Sequence, residues 1–325
     1  MTHAIRIHEY GGPEQLRWEE VTVGAPGAGE ARIRHTAVGL NFIDVYHRSG
    51  LYPLPQLPHV LGMEGCGVVE AVGDGVSEIA VGDRVAYAGV PPGAYAEERL
   101  IPWHRLVKVP DAIDDRTAAA MMLQGMTTEY LLERCFPVHK GQTILFHAAA
   151  GGVGLMVCQW ARALGAHVIG TVGSPEKARL AQAHGCEHTI LYRDEDFVAR
   201  VKALTGGKGV PVVFDGVGKD TFMKSLDCLQ PRGMMVSFGN ASGKVDPLDI
   251  GVLSAKGSLY VTRPTLMSYT ATPEDFRTSA NRVISMVQDG HLAIEVHQTF
   301  PLRDAAEAHR ALEGRATTGS TVLIV

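Results

Sequence analysis

The residues best placed to do chemistry lie in GQTILFHAAAGGVGLMVCQWAR, residues 141–162. The segment reads as a buried strand over 143–147, a turn of small residues over 148–154, and a helix running to residue 164. Its turn spaces Ala149-x-Gly151-x-x-Gly154, the GxGxxG pattern with alanine in place of the first glycine. Such a turn suits a nucleotide pyrophosphate. Free N–H groups at a helix N-terminus face the anion, and residues with little side chain, here Gly151, Gly152 and Gly154, let it approach. Glycine-rich turns are common, so the pattern draws its weight from the strand before it and the helix after it.

The end of the next strand bears on which nucleotide. NAD sites usually place Asp or Glu about 20 residues past the glycine turn, where it accepts from the ribose 2′-OH and would repel a 2′-phosphate. Here the strand HVIGTVG ends at Gly173 with no acid, and Ser174-Pro175-Glu176-Lys177 follows. Ser174 can cap the next helix, and its hydroxyl and the free N–H groups can meet a phosphate. Lys177 brings positive charge within one helical turn. Tyr192, at the end of the third strand, offers a hydroxyl or a stacking face for adenine. A plain N-cap and a solvated lysine would explain Ser174 and Lys177 without any ligand, and Glu176 pulls the other way. Gly173 in the acid position tips the expectation to NADPH.

The elements around these residues form a pattern. Up to Val109 the chain is strand-rich and punctuated by glycine, with IRIHEY, LRWEEVTV, ARIRHTAVGL, CGVVEAVG, DRVAYAG and LVKVP as short strands. Residues 114–135 look helical. Strands at 143–147, 167–172, 188–192, 211–216, 234–239 and 258–263 then alternate with helices at 152–164, 175–184, 195–204, 219–229 and 248–255. Such alternation predicts a parallel sheet covered on both faces, and six strands make a complete dinucleotide-binding sheet. After Pro264 comes a long helix with Thr272 as N-cap and Pro273 at its first position. A strand, a helix at 303–313 and the apolar strand STVLIV follow, and these segments are expected to return to the first domain.

Composition sets bounds. The 325 residues allow two domains of roughly 150 each. Hydrophobic content of 46% can fill a large core, and a net charge of −5 without a basic stripe argues against a nucleic-acid partner. The start, MTHAIRIHEYGG, shows no basic segment followed by an apolar run, so no signal peptide is expected. The apolar stretch 143–161 contains His147, glycines and Gln159, which favours strand plus helix over a membrane span. Five scattered cysteines without a CxxC pair fit reduced thiols in the cytoplasm.

Gly62-Met63-Glu64-Gly65-Cys66-Gly67-Val68 resembles the GHEGxGxV segment of zinc alcohol dehydrogenases, whose histidine ligates the metal. Met63 stands there instead, and a thioether is a poor zinc ligand. The positions of that family's two cysteine ligands fall near Asn41 and near Leu123 or Gln124, with no thiol. The four-cysteine structural lobe has no counterpart, and none of the 14 histidines forms HxH or HExxH. No metal is expected, and Glu64 is expected to bond nearby backbone or a polar side chain.

With these residues in hand, the whole chain resembles quinone oxidoreductases of the zeta-crystallin type, a zinc-free branch of the medium-chain dehydrogenases/reductases. The bacterial NADPH:quinone reductases are the nearest in pattern. The resemblance is tightest in residues 39–53, 141–162, 225–243 and 256–266. It implies an α/β protein: a GroES-like β-rich catalytic domain (1–124 and 265–325) and a Rossmann domain with a doubly wound, parallel six-stranded sheet (125–264). It also implies a homodimer formed largely through the Rossmann domains, and a quinone bound in the cleft between the two domains.

Residue by residue, the resemblance implies that Asn41, Phe42, Ile43, Asp44 and Tyr46 approach the nicotinamide end. Tyr130, Gly152 and Val153 would hold the pyrophosphate, and Gly173, Ser174, Lys177 and Tyr192 the adenosine 2′-phosphate. Phe238, Gly239, Asn240 and Ala241 would line the nicotinamide side with Arg263, Pro264 and Thr265, and Arg315 would approach the cofactor again. Family members commonly carry Ser-Val-Gly after the fourth-strand Asp; here Asp215 is followed by Gly216, so no hydroxyl contact is expected there.

Quinone reduction needs no Lewis acid, because the ring is electron-poor and the developing charge spreads over two oxygens. Tyr46 and Tyr52 are the candidate donors to that charge, with Asn41 as a further amide donor and Asp44 orienting a neighbour. Packing of the cleft wall is the competing role for both tyrosines. Two other functions remain open: an NADPH-dependent reductase of enones or 2-alkenals, and a non-enzymatic NADPH-binding protein, of which RNA-binding relatives are a variant.

Overall fold

The strand Glu30–Leu40 shows how this sequence makes its layers. Ala31, Ile33, His35 and Ala37 turn inward while Glu30, Arg32 and Arg34 lie on the other face, the period of two expected of a half-covered strand. A computed structural model describes residues 1–325. It divides into two units: Met1–Met126 with Tyr269–Gly290 and Ile294–Val325, and Thr127–Ser268 with His291–Ala293.

The chain begins with β1 (Thr2–Ile7), β2 (Arg17–Val21), β3 (Glu30–Leu40), α1 (Phe42–Ser49), β4 (His59–Val60), β5 (Glu64–Val72), β6 (Arg84–Ala88), β7 (Glu98–Pro102), β8 (Val107–Lys108) and α2 (Asp115–Glu129). Then come β9 (Thr143–His147), α3 (Gly152–Ala163), β10 (His167–Val172), α4 (Pro175–Ala183), β11 (His188–Leu191), α5 (Phe197–Leu204), β12 (Val210–Asp215), α6 (Phe222–Asp227), β13 (Leu229–Ser237), α7 (Gly251–Ala255), β14 (Tyr260–Thr262) and α8 (Leu266–Tyr269). It closes with α9 (Pro273–Gln288), β15 (Val296–Pro301), α10 (Ala305–Glu313) and β16 (Ser320–Ile324).

In the first unit, β2-β1-β4 form a small antiparallel sheet. A larger sheet runs β15-β16-β3-β5-β6-β8, with β7 also on β3. The C-terminal strand β16 pairs antiparallel with β3, Val322 opposite Gly39.

The second unit is a six-stranded parallel sheet in the order β11-β10-β9-β12-β13-β14. This is the doubly wound dinucleotide-binding order, and its switch point lies between β9 and β12. Leu145, Ile169, Ile190, Val213 and Met235 meet Phe197 and Val201 of α5 and Phe222 and Leu226 of α6 in one core. Gln159 on α3 holds residues 291–293 to this unit: its amide donates to Ala293 O at 3.0 Å and accepts from Ala293 N at 2.8 Å.

Besides β4, β7 and α8, which the sequence pattern does not mark, three features that bear on the site depart from the expected elements. α1 emerges from GLNFIDVYHRSG, where no helix is evident from sequence; its start is closed by the Asp44 carboxylate, which accepts the Asn41 N–H at 2.9 Å. The helical stretch expected to Cys135 changes to a π-helical turn at Tyr130–Cys135. α6 starts later than 219 because Asp215 holds the preceding turn, accepting from the N–H groups of Val217 and Gly218.

Candidate functional site

The glycine turn stands at the C-terminal end of β9, beside the switch point, where ligands of open α/β sheets bind. Ala148 takes φ 59° and turns the chain sharply out of the strand. Gly151 caps α3, and Gly152 and Val153 form its first turn, all partly open to solvent. Gly154 faces inward: a Cβ there would lie 2.5 Å from Ala148 O and 2.7 Å from Ala149 Cα, so only glycine lets the helix start this close to the strand. The cradle fits a pyrophosphate.

At the end of β10, a Cβ on Gly173 would approach Tyr192 Oη to 3.0 Å. An acid at this position would thus crowd the tyrosine hydroxyl. Ser174 caps α4, its Oγ accepting from Lys177 N at 3.3 Å. Tyr192 is 38% exposed, and its N–H donates to Val172 O. Gly173, Ser174, Lys177 and Tyr192 therefore gather at one corner of the sheet. On the other side of the switch point, the Phe238 ring packs 5.7 Å from Phe146, and the N–H of Ala241 donates to Gly216 O. Gly239 and Asn240 lie in this segment. Arg263 donates to Ser237 O at 2.7 Å, which sets the start of Arg263-Pro264-Thr265 against the end of β13. Tyr130 sits buried on the π-helical turn.

In the first unit, α1 carries Phe42, Ile43, Asp44 and Tyr46. The Tyr46 and Tyr52 rings meet edge to face at 5.1 Å, with Phe42 6.3 Å from Tyr46. This makes an aromatic cluster bearing two phenols. Asn41, at the helix start, is tied inward: its Nδ2 donates to Glu64 Oε2 at 2.8 Å and its Oδ1 accepts from Gln124 at 3.1 Å. Glu64 also accepts from Leu123 N, and Ser320 donates to Gln124 Oε1. Burial pushes the Glu64 carboxyl up to about 8, against the pull of these donors. Arg315 is exposed at φ 57°, just past α10.

Asp44 is fully buried, with burial raising its carboxyl to about 7. Its Oδ2 accepts from Tyr95 Oη at 3.0 Å. Tyr95 in turn meets His309 Nε2 at 3.1 Å, and Arg48 Nη1 donates to His309 Nδ1 at 3.1 Å. Arginine can only donate, so His309 carries its proton on Nε2 and passes it toward Tyr95. Arg48 forks onto Glu313 with two bonds of 2.8 Å. The Asp44 side chain thus orients Asn41 and α1 from within and offers no exposed face to a ligand. Sequence reasoning missed this chain, since its links span 51 to 265 residues.

No group of three or more His, Cys, Asp or Glu side chains is arranged to hold a metal. The positions compared with zinc ligands hold Asn41, buried Met63 and Leu123 or Gln124. Asn41 and Gln124 bond to each other.

A Rossmann sheet joined to a β-rich unit of this topology defines the medium-chain dehydrogenases/reductases. A family profile described as alcohol dehydrogenase GroES-like domain matches residues 27–111, and one described as zinc-binding dehydrogenase matches 152–285. The quinone oxidoreductase of Pseudomonas aeruginosa is 56% identical over 324 residues, covering 100% of both chains. The 2-haloacrylate reductase of a Burkholderia species is 49% identical, covering 100% of this chain and 99% of that one. The crystal structure of Escherichia coli quinone oxidoreductase complexed with NADPH is similar with a TM-score of 0.98 at 49% identity, covering 100% of each chain. The chain belongs to the quinone oxidoreductase family, zinc-free oxidoreductases within the medium-chain dehydrogenases/reductases.

Proposed function

We propose that this protein reduces quinones with NADPH and needs no metal. The observation that carries the cofactor is the pair of turns at the C-terminal ends of two inner strands: a glycine cradle after β9 and an acid-free corner after β10, with Ser174 and Lys177 beside it. Gly151, Gly152, Val153, Gly154 and Tyr130 hold the pyrophosphate. Gly173, Ser174, Lys177 and Tyr192 take the 2′-phosphate, and Lys177 supplies the charge that favours NADPH over NADH. Phe238, Gly239, Asn240 and Ala241, with Arg263, Pro264 and Thr265, take the nicotinamide. By the family resemblance, Asn41, Phe42, Ile43 and Tyr46 are assigned to the nicotinamide end and Arg315 to the cofactor as well. Asp44 serves by holding α1 in place. The complex of the E. coli relative with NADPH supports this assignment.

Bound NADPH would supply the reducing equivalents to the quinone ring. The protein's part is to stack that ring, orient it and exclude water. The Phe42–Tyr46–Tyr52 cluster provides apolar faces, and the phenols of Tyr46 and Tyr52 donate to the oxygen on which negative charge builds. The quinone oxidoreductases among its relatives support a quinone as substrate.

A second reading has its own support. The relative from Burkholderia is a 2-haloacrylate reductase, so an activated carbon–carbon double bond is the alternative acceptor.

We further propose a homodimer built through the parallel-sheet unit. β14 ends that sheet, and its Tyr260 is 58% exposed, which favours pairing with a second copy. No helix is long and apolar enough to cross a membrane. All five cysteines are free thiols, which supports a cytoplasmic site of action.

The test is steady-state oxidation of NADPH and of NADH with 1,4-naphthoquinone, and with a simple enone in its place. Fast turnover of NADPH with the quinone and slow turnover of NADH is the expected result. Turnover with the enone alone would transfer the assignment to activated alkenes. The double variant Tyr46→Phe, Tyr52→Phe is expected to lower kcat with the quinone; unchanged kinetics would remove the tyrosines from the mechanism.

A further inference from the structure

Beneath the turns of the parallel-sheet unit runs a buried chain of polar side chains that no step above uses. His147 ends β9, Thr171 lies near the end of β10 directly opposite it, and Asp215 ends β12. Ser225 reaches in from α6. All four are at most 2% exposed. His147 Nδ1 lies 2.9 Å from Thr171 Oγ1, and Nε2 lies 2.9 Å from Ser225 Oγ. Ser225 Oγ lies 3.2 Å from Asp215 Oδ2 and 2.9 Å from Thr221 O.

These partners fix the proton positions. A carboxylate and a carbonyl can only accept, so the single Ser225 proton goes to one of them. The serine oxygen then accepts from His147 Nε2–H, and Nδ1 accepts from the Thr171 hydroxyl. Burial lowers the His147 pKa against the opposing pull of Asp215, in keeping with a neutral ring. The Phe197 ring stands edge to face at 5.0 Å and fixes the plane of the imidazole.

Each end of the chain leads into a turn. His147 is followed by Ala148, whose N–H lies 3.4 Å from Thr171 Oγ1, and Ala149 N donates to Thr171 O at 3.1 Å. Thr171 precedes Gly173 by two residues. Asp215 Oδ1 accepts from Val217 N and Gly218 N at 2.8 and 3.0 Å, and Val217 O accepts from Ser242 N. The link from His147 to Ser225 and Asp215 crosses the switch point between β9 and β12.

We propose that neutral His147 is a positioning residue for the dinucleotide. It ties the glycine turn, the 2′-phosphate corner and the 216–218 turn under the nicotinamide segment into one rigid floor. The proposal rests on the NADPH assignment above. An apolar ring of similar size would fill the same space but leave Thr171 and Ser225 without their shared partner, and the three turns would lose their common reference.

The test compares His147→Phe, His147→Gln and Thr171→Val with the wild type. NADPH affinity is measured by titration calorimetry, and amide hydrogen exchange is followed without ligand by mass spectrometry. His147→Phe is expected to weaken NADPH binding about tenfold or more. It should also speed exchange in 148–154 and 216–218, while the KM for naphthoquinone holds. His147→Gln, which can both donate and accept, should recover most of the affinity. Thr171→Val should loosen 148–154 while sparing 216–218, and it serves as the test if His147→Phe does not fold. Wild-type affinity and exchange in both His147→Phe and Thr171→Val, or a lower Tm with unchanged affinity and turn exchange, would overturn the proposal. Failure of the wild type to bind NADPH would sink the cofactor assignment instead, and exchange in the turns would still judge the floor.

Discussion

Asn41 Nδ2 donates to Glu64 Oε2 at 2.8 Å, which ties one position compared with the zinc ligands of alcohol dehydrogenases to the residue that follows another, Met63. Gln124 bonds to Asn41 and Ser320 to Gln124, so at the position compared with that family's first cysteine stands an amide already engaged by other side chains. Amide oxygens and nitrogens already bonded to each other make a poor zinc site.

The first expected outcome concerns metal. Incubation with EDTA should leave NADPH oxidation with 1,4-naphthoquinone unchanged, and metal analysis of the purified protein should find no stoichiometric zinc. Loss of turnover with EDTA, restored by zinc, would contradict the site described here.

Glu64 sets a pH dependence of stability. Its carboxyl rises from 4.5 in the unfolded chain to about 8 in the fold, so its contribution is complete below 4.5 and is lost as pH rises through 8. The buried His35, His47 and His309 are depressed and act below 6.5, with the opposite sign. Between pH 7 and 8 the wild type should therefore lose about 1 kcal/mol of unfolding free energy through this one group, less than the full slope of about 1.4 kcal/mol per pH unit because the folded carboxyl is half ionised by about pH 8. Urea denaturation of Glu64→Gln across the same window should show a flatter profile; parallel profiles would mean that Glu64 ionises at its ordinary pH.

Gly173→Asp tests the 2′-phosphate corner. Its Cβ would sit 3.0 Å from Tyr192 Oη, and its carboxylate would face the phosphate. NADPH affinity should fall by about tenfold or more while NADH affinity holds or rises. An unchanged ratio in calorimetry would move the 2′-phosphate elsewhere.

Arg48 is the buried end of the chain that reaches Asp44. Its side chain is 3% exposed, against 35% for Glu313. Arg48→Met would strip His309 Nδ1, Gly11 O and Glu313 of their donor, at a cost of about 2–3 kcal/mol in urea denaturation. Glu313→Gln keeps an acceptor for the guanidinium and should cost less than about 1 kcal/mol. Equal costs would mean that the ion pair, and not the buried donor, carries the stability.

The parts of this protein written in neighbouring residues were legible in its sequence. The β9-turn-α3 segment, the Ser174 cap and the Thr272–Pro273 start of α9 all appear where pattern predicts them, Thr272 Oγ1 accepting from Asp275 N at 3.1 Å. Period-two burial, glycine turns and capping bonds reach only three or four residues along the chain, so sequence order carries them. The six alternating strands carry the Rossmann class for the same reason, because parallel pairing demands a crossover after each strand. Other features depended on which distant segments the fold brings together. Asn41 meets Gln124 across 83 residues, His147 meets Ser225 across 78, and Arg48 meets Glu313 across 265. In sequence the histidines look scattered, and nothing separates His35, His147 and His309 from their exposed counterparts. Tertiary packing made them neutral hydrogen-bonding links, since a buried imidazole keeps its place only where a donor and an acceptor from remote strands and helices arrive at its two nitrogens.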